Sequence, residues 1–279
     1  MNTFKHKIVN DLYWSINSVY KHKLKSNIAQ NYGNFIFSEF IDFKSNKFNF
    51  QSLDENPYEL EVFVGEYARK PLGVYFESLC RFYFRNHPDF EVVFENHQII
   101  KDKITLTEFD LCVKDVSLNK YYHIEFSVKF YLEKINPNLP EDWIGPNAKD
   151  NFEKKLIKTE KQFLLANNYI DLNVEKVFFL KGLNFEYKSS NYWWCKIGEE
   201  QDLLKQEFYA ATLPKQFWLG SNILKPRELN LLSKKEIIKE VKQQVDNTNK
   251  SVCIALFQKN NGKFLEKQRG FIVNKNWPN

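Results

Sequence analysis

Two stretches decide the fold, TLTEFDLCVKD (Thr105–Asp115) and YYHIEFSVKFYL (Tyr121–Leu132). In the first, Glu108, Asp110, Cys112 and Lys114 alternate with Phe109, Leu111 and Val113. In the second, His123, Glu125, Ser127 and Lys129 alternate with Ile124, Phe126, Val128 and Phe130. Successive side chains of a strand point to opposite faces, so each stretch is expected to be a strand with one polar and one apolar side. Neighbouring antiparallel strands bring opposed Cβ atoms to about 4.5–5.5 Å. Paired in that way, Asp110 and Glu125 come within side-chain reach of one another. Two ionised carboxylates at about 4 Å repel by about 4 kcal/mol at an effective dielectric of about 20. Either one takes a proton or a cation lies between them. A hard divalent ion suits such a place, since Mg²⁺ commonly uses one or two carboxylates with water and substrate phosphate. A lysine on that face would orient or deprotonate an attacking water, or stabilise charge building up at phosphorus. The plainer alternative is a solvated face closed by an ion pair between Asp110 or Glu125 and Lys114 or Lys129.

Ahead of these strands, PLGVYFESLCRFYFR (71–85) has helical spacing. Leu72, Tyr75, Phe76, Leu79, Phe82 and Tyr83 make an apolar stripe. Pro71 suits the first turn, and Asn86-His87-Pro88 ends the helix. FEVVFENHQII (90–100) reads as a first strand, with short polar connectors to the two that follow, as in antiparallel hairpins. A polar loop then leads to a helix expected from Ala148, with Asn147 as its N-cap. Phe152, Leu156, Phe163 and Leu164 form its apolar side, and Lys154, Lys155, Lys158 and Lys161 its basic side. EKVFFLKG (175–182) reads as a buried strand. The core order is thus helix, three strands, helix, strand. Upstream, Leu12, Ile16, Val19 and Tyr20 recur at helical intervals, and residues 44–58 read as a loop. Downstream, Ser233-Lys234-Lys235-Glu236 fits a capping box. SVCIALFQK and FLEKQRGFIV read as a strand pair around Asn260-Asn261-Gly262. The expected organisation is an N-terminal helical segment (1–60), an α/β core (61–185) with a mixed sheet flanked by helices, and a C-terminal α+β extension (186–279).

The 279 residues are 43% hydrophobic and 27% charged, as in ordinary globular proteins. Nine glycines and nine prolines exclude collagen-like and broadly disordered chains. No stretch nears the roughly 20 apolar residues of a membrane span. MNTFKHKIVNDLYW lacks a signal core, so a cytoplasmic location is expected. Cys80, Cys112, Cys195 and Cys253 form no C-x-x-C pair and read as buried thiols. The net charge of +5 is distributed as +4 over 1–53, −5 over 54–185 and +6 over 186–279. Such a pattern fits a cation site between surfaces that attract a polyanion, although charge alone favours a plain asymmetry of solvated faces. Phosphate-binding glycine motifs and G-x-S-x-G are absent, which leaves nucleotide-dependent and serine-hydrolase chemistry without support. His87 reads as a helix-end residue, and His97 and His123 as surface or supporting residues. Trp193-Trp194 is a core pair before it is a base-stacking platform.

Glu108-Phe109-Asp110 followed by Glu125 and a nearby lysine, in this element order, resembles the PD-(D/E)XK nuclease superfamily, which includes restriction endonucleases and Holliday-junction resolvases. TEFDLCV is similar to the resolvase-like G-E-I-D strand. The resemblance implies a restriction-endonuclease-like core and hydrolysis of phosphodiester bonds, on DNA before RNA, with Mg²⁺ or Mn²⁺. Asp110 and Glu125 would bind the metal. Glu77, in LGVYFESL, matches the acidic residue of the first core helix. Gln162, in KTEKQFLLAN, resembles the helix glutamine of recombination-type members. Lys129 would assist, and Lys149, Lys155 and Lys158 would meet the nucleic acid backbone. The sequence departs from the motif at one position: D/E-x-K places lysine at 127, which is Ser127. Lys129 lies one strand period further, about 6.6 Å along the same face. Lys149 or Lys155 are alternative sources of the amine, and a site that binds without cleaving is the competing reading. Many nucleases of this fold dimerise, which makes a homodimer a candidate state. From about Leu72 onward, LGVYFESLCRFYFRNHP, TLTEFDLCV, EFSVKFYL, WIGPNAKD and RGFIVNKNWP together resemble an uncharacterised bacterial family, domain-of-unknown-function family 1853.

Overall fold

The computed structural model describes residues 4–19, 35–38, 41–135, 137–169, 171–189, 191–204, 208–215, 218–219, 223–224 and 229–278. Among them are six α-helices and eleven strands, a mixed α/β protein. Two compact units divide the chain. The first is Met1–Lys129 with Lys155–Gly182, and the second is Phe130–Lys154 with Leu183–Asn279. No described helix is long and apolar enough to cross a membrane.

In the first unit, α1 (Lys7–Asn17) carries buried Val9, Leu12 and Ile16 on one side; Tyr20 lies outside the described residues. The region expected as a loop, 44–58, contains a short helix, α2 (Phe50–Glu55), and a second, α3 (Tyr58–Val64), starts at its last residue. Local capping explains the difference. The Asn49 side chain accepts from the Ser52 N–H at 2.9 Å, a bond that satisfies an orphan donor of the first turn. Asp54, buried on α2, accepts from the Lys5 and His6 N–H groups at 2.8 and 2.9 Å and so fixes the entry to α1. The far end of α1 is fixed by the buried Lys181, whose ammonium donates to the Ile16 and Ser18 carbonyls.

The helix α4 (Leu72–Asn86) follows Pro71 and stops at His87, as its sequence requires. His87 is buried there, its Nε2 against the Lys44 carbonyl at 3.0 Å. Strands β2 (Phe90–Lys101), β3 (Ile104–Asp115) and β4 (Lys120–Glu133) form an antiparallel meander. After α5 (Phe152–Asn167) the chain enters β6 (Val174–Tyr187), which lies next to β4 in the order β2-β3-β4-β6. The two-residue β1 (Ile36–Phe37) runs parallel to β6. Gly182, at φ 139°, allows β6 to pass β4 closely: a Cβ there would stand 1.6 Å from the Lys129 carbonyl oxygen. Helices cover both sheet faces. On one, Phe126 of β4 meets Phe76 and Phe84 of α4 and Phe179 of β6. On the other, His123 of β4 meets Phe163 of α5 at 4.8 Å.

In the second unit, β5 (Trp143–Ile144) pairs with the end of β4. The helix α5 begins at Phe152 and not at Ala148. Ala148 is left-handed, with φ 56°, inside a turn closed by its N–H on the Gly145 carbonyl. Asn147 is engaged elsewhere, accepting from Ser251, and Asn151 caps the helix through the Lys154 N–H at 2.9 Å. The remaining strands are β7 (Tyr192–Lys196), β8 (Tyr209–Thr212), β9 (Ile223–Leu224), β10 (Val252–Asn260) and β11 (Lys263–Val273), ordered β7-β11-β10-β8 with β9 on β11. The strand pair turns at Asn261-Gly262, both at positive φ (46° and 76°), as a two-residue hairpin of this hand needs. The helix α6 (Lys234–Thr248) opens with the expected capping box between Ser233 and Glu236. Trp193 and Trp194 are buried, so neither serves as a stacking platform; Trp193 packs with Ile237, Val241 and Ile272. All four cysteines are buried thiols.

Candidate functional site

In the first unit, β3 and β4 pair from Asp115↔Lys120 to Leu111↔Ile124, and the ladder stops there. By register the next opposed pair is Asp110 and Glu125, the two carboxylates singled out above. Side chains take over the ladder at that point. Asp110 Oδ2 accepts from the Phe126 N–H at 2.8 Å, and the Asp110 N–H is aimed at the Glu125 carboxylate. The strict alternation expected for β3 fails here. Phe109 does not share a face with Leu111 away from the histidine; its ring lies 4.4 Å from that of His123 and packs with Ala166 of α5. Once β3 leaves β4, the twist of the strand is free to turn Phe109 under the helix. The β4 alternation holds: His123 and Glu125 face α5, and Ile124 and Phe126 face the other way.

Glu125 is 1% exposed, and protein side chains engage both its oxygens. His123 Nε2 lies 3.0 Å from Oε1, and Gln162 Nε2 donates to Oε2 at 2.8 Å. His123 is thus a buried partner of Glu125 and not a surface residue. The Gln162 Oε1 and Thr159 Oγ1 atoms on the same stretch of α5 are buried and find no hydrogen-bond partner among the described residues.

Electrostatics bring four elements to this point. Burial raises the Asp110 carboxyl well above the ordinary carboxylate range, and the charge of Glu125 raises it further. Burial likewise raises Glu125, which the charge of Lys155 opposes. Glu77 on α4 is pushed up to about 7, first by burial and then by Asp110. Glu108 repels all three. Lys155, on the first turns of α5, answers Asp110 and Glu125, while Glu77 is answered first by the buried Arg81 of its own helix and then by Lys155. Burial holds its ammonium below the usual lysine range, while Glu125 and Asp110 pull it up. Lys155 stands over the Phe178 ring at 5.3 Å.

Asp110, Glu125, Glu77 and Gln162 therefore come together as the sequence indicates, with Lys155 among them. Lys129 is half-buried on β4, and its charge is felt at Lys155. Lys158 is exposed one turn beyond Lys155. Lys149 is exposed on the turn before α5 and belongs to the second unit. His97 is exposed on β2. Glu108 and His123 join the site as well; the sequence marks Glu108 through the Glu108-Phe109-Asp110 motif and His123 through its place on the Glu125 face of the strand. Among the described residues, no group of three or more His, Cys, Asp or Glu is spaced to enclose a metal ion. A pair of carboxylates completed by water and phosphate is the arrangement that remains.

The fold and site define a mixed α/β protein with a largely buried acidic cluster answered by Lys155 and, at Glu77, by Arg81. A family model described as Domain of unknown function (DUF1853) matches residues 11–171, more than half of the chain, and the chain belongs to that family. The match begins well before Leu72 and ends before the C-terminal strands. It includes Glu77, Glu108, Asp110, Glu125, Lys155 and Gln162. No curated protein matches the chain, and no solved structure does.

Proposed function

We propose that the first unit is a divalent-cation-dependent phosphodiester hydrolase acting on nucleic acid, DNA before RNA. The observation that carries the reading is the convergence of Glu77, Asp110 and Glu125 with Lys155, from α4, β3, β4 and α5, at the place where the sheet opens. The element order and the neighbours β2-β3-β4-β6 support a restriction-endonuclease-like core. The donor set fits a hard cation: all the ligating atoms are oxygens, their mutual repulsion calls for positive charge, and the buried Gln162 Oε1 beside them lacks a partner among the described residues. Asp110 and Glu125 would hold Mg²⁺ or Mn²⁺, which when bound polarises a phosphoryl oxygen and lowers the pKa of water. His123 and Gln162 fix the Glu125 carboxylate. Lys155 takes the part assigned by the motif to a strand lysine: with its pKa drawn down by burial, it accepts a proton from water or faces charge at phosphorus. Glu77, protonated over much of the neutral range, limits the negative charge in the pocket.

The test is cleavage of plasmid and oligonucleotide substrates with Mg²⁺ or Mn²⁺, comparing the wild type with Asp110→Ala and Lys155→Met. Metal-dependent cleavage lost in both variants is expected. Identical behaviour of wild type and Asp110→Ala across substrates ends the assignment. One observation favours a second reading, a fold kept for binding alone: both oxygens of Glu125 are already engaged by protein side chains. Tight, salt-sensitive DNA binding with no metal requirement and no cleavage would select it.

A further inference from the structure

The pairing of β3 with β4 ends at Leu111↔Ile124, whereas its pairing with β2 runs on to Lys101↔Ile104. Beyond Leu111 these two strands form a ribbon that reaches about 23 Å at about 3.3 Å per residue. The ribbon is braced. Ile99, Leu106 and Phe109 pack with Ala166 of α5, and Glu95 near its base is held by Arg81 and Arg85 of α4 at 3.2 and 2.6 Å. Its turn is a tight one, with Asp102 and Lys103 both at positive φ (52° and 64°).

The outer part of this ribbon has a consistent chemistry. Ile100 and Ile104 flank the turn and are 61% and 65% exposed. Lys101 and Lys103 stand beside them, and Asn96, Gln98 and Thr105 are exposed further down. Asp102 is the one acid between residues 96 and 105. On α5, exposed Lys158 and Lys161 lead from Lys155 towards Ala166, where the ribbon rests. A basic and amide-bearing track thus starts at the acidic pocket and ends at an apolar tip. A two-stranded ribbon fits the roughly 12 Å major groove of a duplex. Lysines meet phosphates, amides read base edges, and exposed aliphatic side chains contact thymine methyl groups in the groove.

We infer that the β2–β3 ribbon is a groove-binding arm that holds a nucleic-acid duplex while the Asp110–Glu125 pocket acts on its backbone. The inference rests on the proposed hydrolase for the position of the cleaved phosphate. It adds that the partner is double-stranded, with contacts about six or seven base pairs from that phosphate at 3.4 Å per pair.

The experiment is fluorescence anisotropy with a labelled duplex of about 30 base pairs and its single strand, in EDTA over a salt series. The proteins are the full chain, the double variant Lys101→Ala with Lys103→Ala, and the double variant Ile100→Ser with Ile104→Ser; thermal unfolding confirms that each is folded. The lysine variant is expected to lower the slope of log K against log salt by about 2. The isoleucine variant is expected to weaken the duplex more than the single strand. Duplex affinity and slope equal to wild type in both variants overturn the arm, and so does a wild type that binds no duplex. A change of oligomeric state in the variants, with duplex binding intact, reassigns the tip to a protein contact. Because binding is read without metal, the outcome is separate from catalysis. Cleavage indifferent to Asp110→Ala removes the hydrolase and leaves the arm standing, and the converse pattern leaves the hydrolase without the arm.

Discussion

Replacing Asp110 with Asn removes one charge from a crowded acidic pocket and keeps the oxygen that accepts from the Phe126 N–H. Its effect on stability follows from the neighbours. Glu77 is pushed from an ordinary 4.5 up to about 7, mainly by burial and next by the charge of Asp110. At 1.36 kcal/mol per pKa unit the whole displacement is worth about 3 kcal/mol. The Asp110 share, discounted for the partial exposure of Glu77, is about 1 kcal/mol. The repulsion between Glu125 and Asp110 acts in the same direction, so relief of about 1–2 kcal/mol is expected when the pocket is ionised. The sign follows from linkage. A carboxyl whose folded pKa is raised contributes stability that is complete below the unfolded pKa and is lost as pH climbs through the folded one. The metal-free wild type therefore loses stability between about pH 4.5 and 7, and the Asn variant loses less. Thermal unfolding in EDTA should find the variant about 2–8 °C more stable near pH 8 and level with wild type near pH 4, at about 2–4 °C per kcal/mol. Millimolar Mg²⁺ should close the gap, because an ion that binds the wild type better stabilises it more. A variant less stable than wild type at pH 8, or a gap that ignores pH, refutes the repulsion on which the site is argued.

Further outcomes can be checked alongside. In single-turnover cleavage, Lys155→Met should lose about 100-fold or more and Lys129→Met less than about tenfold; equal losses return the role to the strand lysine. Gln162→Leu removes the donor to Glu125 Oε2 and should weaken Mn²⁺ binding by about 10–100-fold in calorimetry; unchanged affinity argues that Glu125 takes no part in holding the ion. Gly182→Ala places a Cβ 1.6 Å from the Lys129 carbonyl oxygen. It should cost more than about 3 kcal/mol in urea unfolding, and a midpoint like the wild type's contradicts the close approach of the two strands.

Much of the first unit is legible in its sequence because single-element signals agree there. The stripe of α4, its proline boundaries and the alternation of β4 each follow from local period and turn chemistry. Asp110 and Glu125 stand out because carboxylates recur on one side of otherwise apolar strands. What escapes is set by how elements cross. Lys154, Lys155, Lys158 and Lys161 look alike along α5, and only the seat of the helix over the sheet turns Lys155 into the pocket while Lys158 stays in water. Asn147 is the cap that the sequence suggests; in the fold it is consumed by Ser251, and Asn151 starts the helix. Phe109 changes sides because β3 parts from β4 just before it, an event that depends on a neighbouring strand and leaves no mark in the alternation itself.

The bond from the Phe126 amide to Asp110 makes that proton a built-in gauge of the pocket. Any guest that draws the aspartate towards itself competes for the same oxygen, and the amide answers at once in its chemical shift and its exchange with solvent. Occupancy could thus be followed at a single backbone position.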